Sequence, residues 1–276
     1  MRIRPREATP TEASSLWPAV RADRLFDTAE QFAAYCEAAP WRIRVANRGE
    51  AAVLGVWRED LDVLAVRGMW CSSRHVADFV ADARARARER GLARVLSPLL
   101  PLELLGPYGR TGMTVFQRVV PIQGHPRGVL PADPPLGVRL RPGRVEDLGE
   151  VLRLDASCFD EFWRYGMAEL SELFATERLF VAEQGDGQLI GYTLATVSRG
   201  AATLGRLGVD PAARRTGLGR ALVFEVAQWA DGLDAETISL CTQEENAIAR
   251  RLYAATGLAE VSDVYGLAIG DVAERG

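Results

Sequence analysis

Apolar positions in this chain recur with two different periods. In the second half, strand-like apolar runs fall near residues 138–141, 179–183, 189–197, 202–209, 237–241 and 261–269. Helical spacing marks residues 145–156, 168–175, 218–230 and 247–256. In the third of these helices Leu218, Leu222, Val226 and Trp229 share one face, which predicts burial of that face. Hairpin-forming runs mixed with crossover helices predict an α+β fold, an α/β sandwich.

The first half repeats the pattern of the second. "RIRPREAT" from Arg2 echoes "RLRPGRVE" from Arg139, each a short strand turning into a helix. "RVANRGEAAVLGVW" from Arg44 echoes "FVAEQGDGQLIGYT" from Phe180, two apolar runs about a turn with Gly49 or Gly185. "YGRTGM" from Tyr108 echoes "YAATGL" from Tyr253. The echoes keep one order, and their period is too long for a solenoid, so they predict a duplicated domain. Between the halves, "PIQGHPRGVLPADPPLGV" is rich in proline and glycine and lacks either period, as a linker does. The expected division is a first domain at 1–122, a linker at 123–136 and a second domain at 137–276.

Composition narrows the function. A hydrophobic fraction of 48%, a charged fraction of 25% and a net charge of −4 describe an ordinary globular protein with no general basic surface for nucleic acid. The 33 basic residues are all arginine, which excludes a catalytic lysine. The arginine-rich stretch "VADFVADARARARERG" interleaves Asp78, Asp82 and Glu89 with its cations, so it reads as a solvated helix face. Cys36, Cys71, Cys158 and Cys241 form no CxxC, and His75 and His125 sit in different halves, so no metal site is expected. The start "MRIRPREATP" has no signal-peptide core and no apolar run suits a membrane span, which predicts a cytoplasmic protein.

Two segments carry chemistry. Between the run ending at Val209 and the helix from Leu218 lies "RRTGLG", residues 214–219. A helix N-terminus presents unpaired N–H groups and the positive end of the peptide dipoles, which suits phosphate. Gly217 and Gly219 let an anion approach the backbone, and Arg214, Arg215 and Arg220 add charge. The same glycines could serve only to turn the chain tightly into a helix. In "TQEENAIARRLYAATGL", Asn246 and Tyr253 lie two helical turns apart on one face. Asn246 suits a helix N-cap as well as a ligand contact, and Tyr253 suits the core as well as a site.

Together these segments resemble the GNAT superfamily of acyl-CoA-dependent N-acetyltransferases over roughly residues 137–270. The strand "ATLGRLGVDP", the loop "RRTGLG" and the "N…A..LY…GL" helix stand in family order. The resemblance implies two tandem GNAT-like domains, each a bent mixed sheet flanked by helices, with the fourth and fifth strands splaying apart at the acetyl group. It implies acetyl-CoA as acetyl donor, contacted by the backbone of Leu207, Gly208 and Val209. The loop Arg214, Arg215, Thr216, Gly217, Leu218, Gly219 and Arg220 would grip the pyrophosphate, and Asn246 the pantetheine arm. Tyr253 would be the acid that protonates the departing thiolate. A backbone N–H at a bulge near Val209 would polarise the thioester carbonyl. The acceptor implied is a primary amine, on a small molecule or a peptide, and no covalent intermediate is needed, so Cys241 is expected to be an ordinary core residue.

Two departures shape the expectations. Many relatives carry a glutamate on the fourth strand, whereas here "ATLGR" from Ala202 has no carboxylate. Glu183, Asp160, Glu161 and Glu244 are all open as substitutes, and an acyl-CoA-binding regulatory pseudoenzyme is the alternative function. In the first half, the loop's counterpart "WCSSRHV" has no glycine, so that domain is expected to keep the fold without the cofactor.

Overall fold

The structure is a computed structural model describing residues 2–23, 25–26, 28–46, 49–58 and 60–273. Part of the first expected hairpin turn, residues 47 and 48, lies outside the described residues. Two compact units are present, Met1–Arg118 with Tyr265–Gly276, and Val119–Val264.

In chain order the elements are β1 (Arg6–Glu7), α1 (Pro10–Ser15), α2 (Trp17–Ala22), α3 (Ala29–Ala38), β2 (Ile43–Val45), β3 (Ala51–Val56), β4 (Val63–Trp70), α4 (Val76–Glu89), β5 (Arg94–Leu96), β6 (Leu100–Pro101) and α5 (Gly106–Gly109). There follow β7 (Thr114–Gly124), β8 (Val138–Pro142), α6 (Leu148–Cys158), α7 (Met167–Thr176), β9 (Arg178–Gln184), β10 (Leu189–Ser198) and β11 (Ala201–Val209). The chain ends with α8 (Leu218–Asp231), β12 (Thr237–Gln243), α9 (Ala247–Ala255), β13 (Ala259–Glu260) and β14 (Tyr265–Asp271).

The duplication is visible in the strand topology. In the first unit the order is β1-β2-β3-β4-β5-β14, antiparallel except for the parallel β4·β5 pair. In the second it is β8-β9-β10-β11-β12-β7, antiparallel except for the parallel β11·β12 pair. Both units therefore follow one α+β plan with the single parallel pair at the same place.

The sixth strand of each sheet comes from the other half of the sequence, which moves the expected boundaries. Residues 119–124 of β7 pair with β12, and Ile122 is buried in the second unit's core. Conversely β14 pairs with β5, and Ala268 is buried in the first unit's core. The expected run at 261–269 is thus split, with Val261 donating its N–H to the Pro121 carbonyl and the chain from Tyr265 joining the first unit.

The proline-rich stretch is not a free linker either. Val129 is buried, Leu130 N–H donates to the Thr256 carbonyl, and Arg127 pairs with Asp231 at 2.6 Å. Proline and glycine removed the periodic signal here, although single side chains still dock.

In the second unit, Val223, Val226, Ala227 and Ala230 of α8 pack on Ala202, Leu204, Ile238 and Leu240. Leu148, Val151, Leu154 and Leu170 of α6 and α7 form another cluster with Leu179, Val181, Tyr192 and Leu194. Burying each such leucine or valine contributes roughly 1.5–3 kcal/mol. In the first unit, Phe79, Val80, Ala83 and Ala87 of α4 join Leu64, Val66 and Val95.

Candidate functional site

The site of the second unit begins where β11 and β12 part. They pair only through Ala201↔Thr237, Ala202↔Ile238 and Thr203↔Ser239. Beyond that point β11 stays paired to β10 as far as Val209, while β12 stays paired to β7 as far as Gln243. The register of β10 and β11 shifts so that Leu194 faces Arg206 and Ala195 faces Leu204, leaving Gly205 as an inserted residue. An inserted residue bends a strand and re-aims the side chains beyond it. The bulge therefore lies at Gly205 and not near Val209 as expected.

The parted edge of β11 has usable backbone. Asp210 N–H donates to the Ile190 carbonyl on the β10 side. Successive amides alternate along a strand, so the N–H groups of Leu207 and Val209 face the parted edge, while that of Gly208 faces β10. Gly208 contributes space, because a Cβ there would collide with the Tyr192 ring.

The turn after β11 is built by its own side chains. Asp210 Oδ1 accepts the Ala212 N–H at 2.8 Å, Thr216 Oγ1 donates to the Ala213 carbonyl at 2.8 Å, and Arg214 Nε donates to the Val209 carbonyl at 3.1 Å. Arg215 has φ 66° and Gly217, the N-cap of α8, has φ 95°. Glycine suits that left-handed position, and without a side chain it leaves the cap unfilled. The amides of Gly217, Leu218 and Gly219 have no hydrogen-bond partner among the described residues. Arg214, Arg215 and Arg220 are exposed around them, while Leu218 is buried and anchors the turn. Cations beside unpartnered helix-start amides are suited to an anion.

α9 supplies the other expected residues. Asn246 is exposed and caps α9, its side chain accepting the Ala249 N–H at 3.0 Å. Its carbonyl oxygen is thus committed to the helix, leaving the amide nitrogen for a ligand. Tyr253 is buried among Val223, Leu240 and Leu258, and burial pushes its phenol pKa well above the ordinary value. Gly257 ends the helix at φ 89°. Cys241, expected in the core, is exposed on β12.

The sequence did not reveal a polar cluster under the α6–α7 segment. Asp155 is fully buried and accepts from Tyr192 O–H, from Arg206 Nε and Nη2 at 2.9 and 2.7 Å, and from the Tyr165 N–H at 2.8 Å. Arg206 also donates to the Trp163 carbonyl at 2.7 Å, and its guanidinium lies 3.5 Å from the Phe159 ring centroid and 4.2 Å from that of Tyr165. Cys158 Sγ donates to the Val209 carbonyl at 3.3 Å. The aromatic segment after α6 is therefore tied to the strand that carries the site. The available signal was an aspartate beside the buried Leu148, Val151 and Leu154 stripe of α6, and an arginine inside a strand.

Three of the four carboxylates considered as bases are engaged or exposed. Glu183 is held by Arg141 and Arg139, Asp160 Oδ1 accepts the Phe162 N–H at 3.0 Å, and Glu161 is exposed beside Arg164. Glu244 is half-buried, and its backbone carbonyl accepts from Arg250 at 2.9 Å.

The first unit treats the same turn differently. Its bulge leaves Arg67 as the inserted residue, and β4 pairs with β5 only at Val63, Leu64 and Ala65. At the start of α4, Glu50 Oε1 accepts the Ser72 N–H at 2.9 Å, and both Glu50 oxygens lie 2.8 Å from His75 Nδ1. Counting from the two bulges, Ala51 stands opposite Trp70 as Tyr192 stands opposite Gly208, so Glu50 corresponds to Gly191. A carboxylate of the chain thus engages the Ser72 amide and the His75 side chain in the short turn that leads into α4.

Residues 148–258, within the second unit, match the acetyltransferase (GNAT) family. In fold, the whole chain resembles the tandem GNAT protein from the clavulanic acid biosynthesis pathway, with a TM-score of 0.72, 17% identity, and 100% of this chain and 99% of that one covered. It also resembles the GCN5-related N-acetyltransferase from Sphaerobacter thermophilus, with a TM-score of 0.69, 18% identity, and 98% and 96% covered. No curated protein matches the chain in sequence. Among the described residues no helix is long and apolar enough to cross a membrane, and no group of three or more His, Cys, Asp or Glu could hold a metal.

Proposed function

We propose that the second unit transfers an acetyl group from acetyl-CoA to a primary amine in a ternary complex. The observation that carries this reading is the continuity of the parted β11 edge with the uncapped start of α8. Leu207 and Val209 offer backbone groups to the pantetheine arm, and the amides of residues 217–219 with Arg214, Arg215 and Arg220 receive the pyrophosphate. Bound acetyl-CoA supplies the acetyl thioester.

The Val209 N–H is directed to stabilise charge on the thioester oxygen as the amine nitrogen bonds to the carbonyl carbon. As the C–S bond breaks, the Tyr253 hydroxyl delivers its proton to the sulfur. Burial raises the phenol pKa, so Tyr253 carries its proton at neutral pH. The segment with Phe159, Trp163 and Tyr165 forms the acceptor wall, fixed by the Asp155–Arg206 pair. The acceptor is a small molecule or a peptide amine, and the expected compartment is the cytoplasm.

In this reading the first unit binds no acetyl-CoA, because the turn before its α4 has no glycine and Glu50 places a carboxylate in it. The absence of a carboxylate from β11 favours a second reading, an acyl-CoA-binding regulatory pseudoenzyme. A primary-amine panel assayed for release of CoA separates the two. Turnover supports the transferase, and binding without turnover supports the sensor.

A further inference from the structure

The geometry points to Glu177 as the base that takes the proton from the acceptor amine, an inference that rests on the transferase reading. The sequence places no carboxylate on β11, and the fold brings one to it from another element. Gly205, the bulge residue, is the exposed position of β11. A Cβ on Gly205 would lie 3.4 Å from Glu177 Oε2 and 3.8 Å from Oε1. Glu177 therefore stands beside the point where a side chain of the bulge would begin, two residues past the last pairing of β11 with β12.

Its backbone is well fixed for this task. Glu177 closes α7, its N–H donating to the Leu173 carbonyl at 2.6 Å, and Arg178 begins β9. Gly205 in turn is separated from Leu207 and Val209 by two and four residues, roughly 7–13 Å along an extended strand. A chain of waters along the parted strand edge would carry a proton over that interval. Glu177 is the carboxylate that stands against the exposed bulge position of β11 itself.

The step balances with groups already described. The ammonium form of the acceptor gives one proton through water to the Glu177 carboxylate, which becomes a carboxylic acid. The freed nitrogen lone pair forms the N–C bond, the C–S bond breaks, Tyr253 protonates the sulfur, and the second proton of the newly acylated nitrogen leaves to solvent. Solvent then removes the proton from Glu177 and returns one to Tyr253, so that the net products are the acetamide, CoA thiol and one proton.

The test measures kcat/KM against pH for the wild type, Glu177→Gln, Glu177→Asp and the double variant Glu177→Gln/Gly205→Glu, with one accepted primary amine and saturating acetyl-CoA. Gly205→Glu is compatible with the space, since the closest approach to its Cβ is an ordinary contact with the residue being changed. We expect Glu177→Gln to lose about 10²–10⁴-fold at neutral pH with the Kd for acetyl-CoA unchanged. The deficit should shrink as the pH approaches the pKa of the free amine, since the base is then dispensable. Glu177→Asp should retain part of the rate, and the double variant should regain at least about tenfold over Glu177→Gln, because it returns a carboxylate to the same opening. A Glu177→Gln enzyme whose pH profile matches that of an active wild type overturns the inference and leaves the transferase reading standing. A wild type that binds acetyl-CoA but acetylates no amine overturns both.

Discussion

Arg206 donates through both Nε and Nη2 to the same oxygen of Asp155, at 2.9 and 2.7 Å, in a part of the protein where Asp155 has no exposure at all. Removing one partner of such a pair leaves an uncompensated buried charge. Asp155→Ala should therefore destabilise the second unit by about 3–5 kcal/mol, measured by urea unfolding. A loss under about 1 kcal/mol would mean that the pair is a bystander of the fold.

The uncapped turn of α8 makes a separate prediction about binding. Gly217→Glu puts a negative side chain where the pyrophosphate is read to lie, on a residue with φ 95°. The Kd for acetyl-CoA should rise at least tenfold, about 1.4 kcal/mol. Gly200→Ala is the control for backbone strain, since Gly200 has φ 75° in the β10–β11 turn. It should cost about 1 kcal/mol of stability and leave the Kd unchanged. Equal effects of the two variants on binding would show that strain, and not the anion site, is being measured.

Tyr253→Phe should lower kcat while the Kd for acetyl-CoA stays within about twofold. Burial raises the phenol pKa of Tyr253, so its ionisation should not reduce kcat as the pH approaches 10, the ordinary value. An unchanged kcat in the Phe variant would remove Tyr253 from the mechanism.

Most of the second unit's elements were legible in the sequence because their apolar periods are uninterrupted. The expected helix at 218–230 is observed as Leu218–Asp231, and the expected strand at 202–209 as Ala201–Val209. The exchanged strands were not legible. Pairing partners distant in sequence leave no local period, and Pro121, Gly124 and the prolines beyond them masked the strand at 119–124. The site was legible where one segment carries it, as in the Gly217 turn. It was not legible where separate elements converge, as Asp155, Tyr192 and Arg206 do, or as Glu177 and Gly205 do. The bulge matters to both cases, because the inserted Gly205 changes which way the residues beyond it face.

In the first unit, Glu50 makes stability sensitive to acid. Burial works against its ionised form, but the Ser72 N–H and His75 together hold its pKa below the ordinary 4.5. A carboxylate with a depressed folded-state pKa contributes fully above its unfolded value and loses that contribution as the pH falls through the folded value. Glu50→Gln should therefore lower the unfolding temperature of the first unit at pH 7, and the gap to wild type should narrow once the pH falls below about 4.5. A gap that does not change with pH would contradict the ionised Glu50 described here.

The most direct test of the account is calorimetric titration of acetyl-CoA into the wild-type chain and into Gly217→Glu. The account predicts one site per chain, lost or at least tenfold weaker in the variant. Two sites per chain would contradict the closed turn of the first unit, and no site at all would contradict the reading of the second as an acetyl-CoA enzyme.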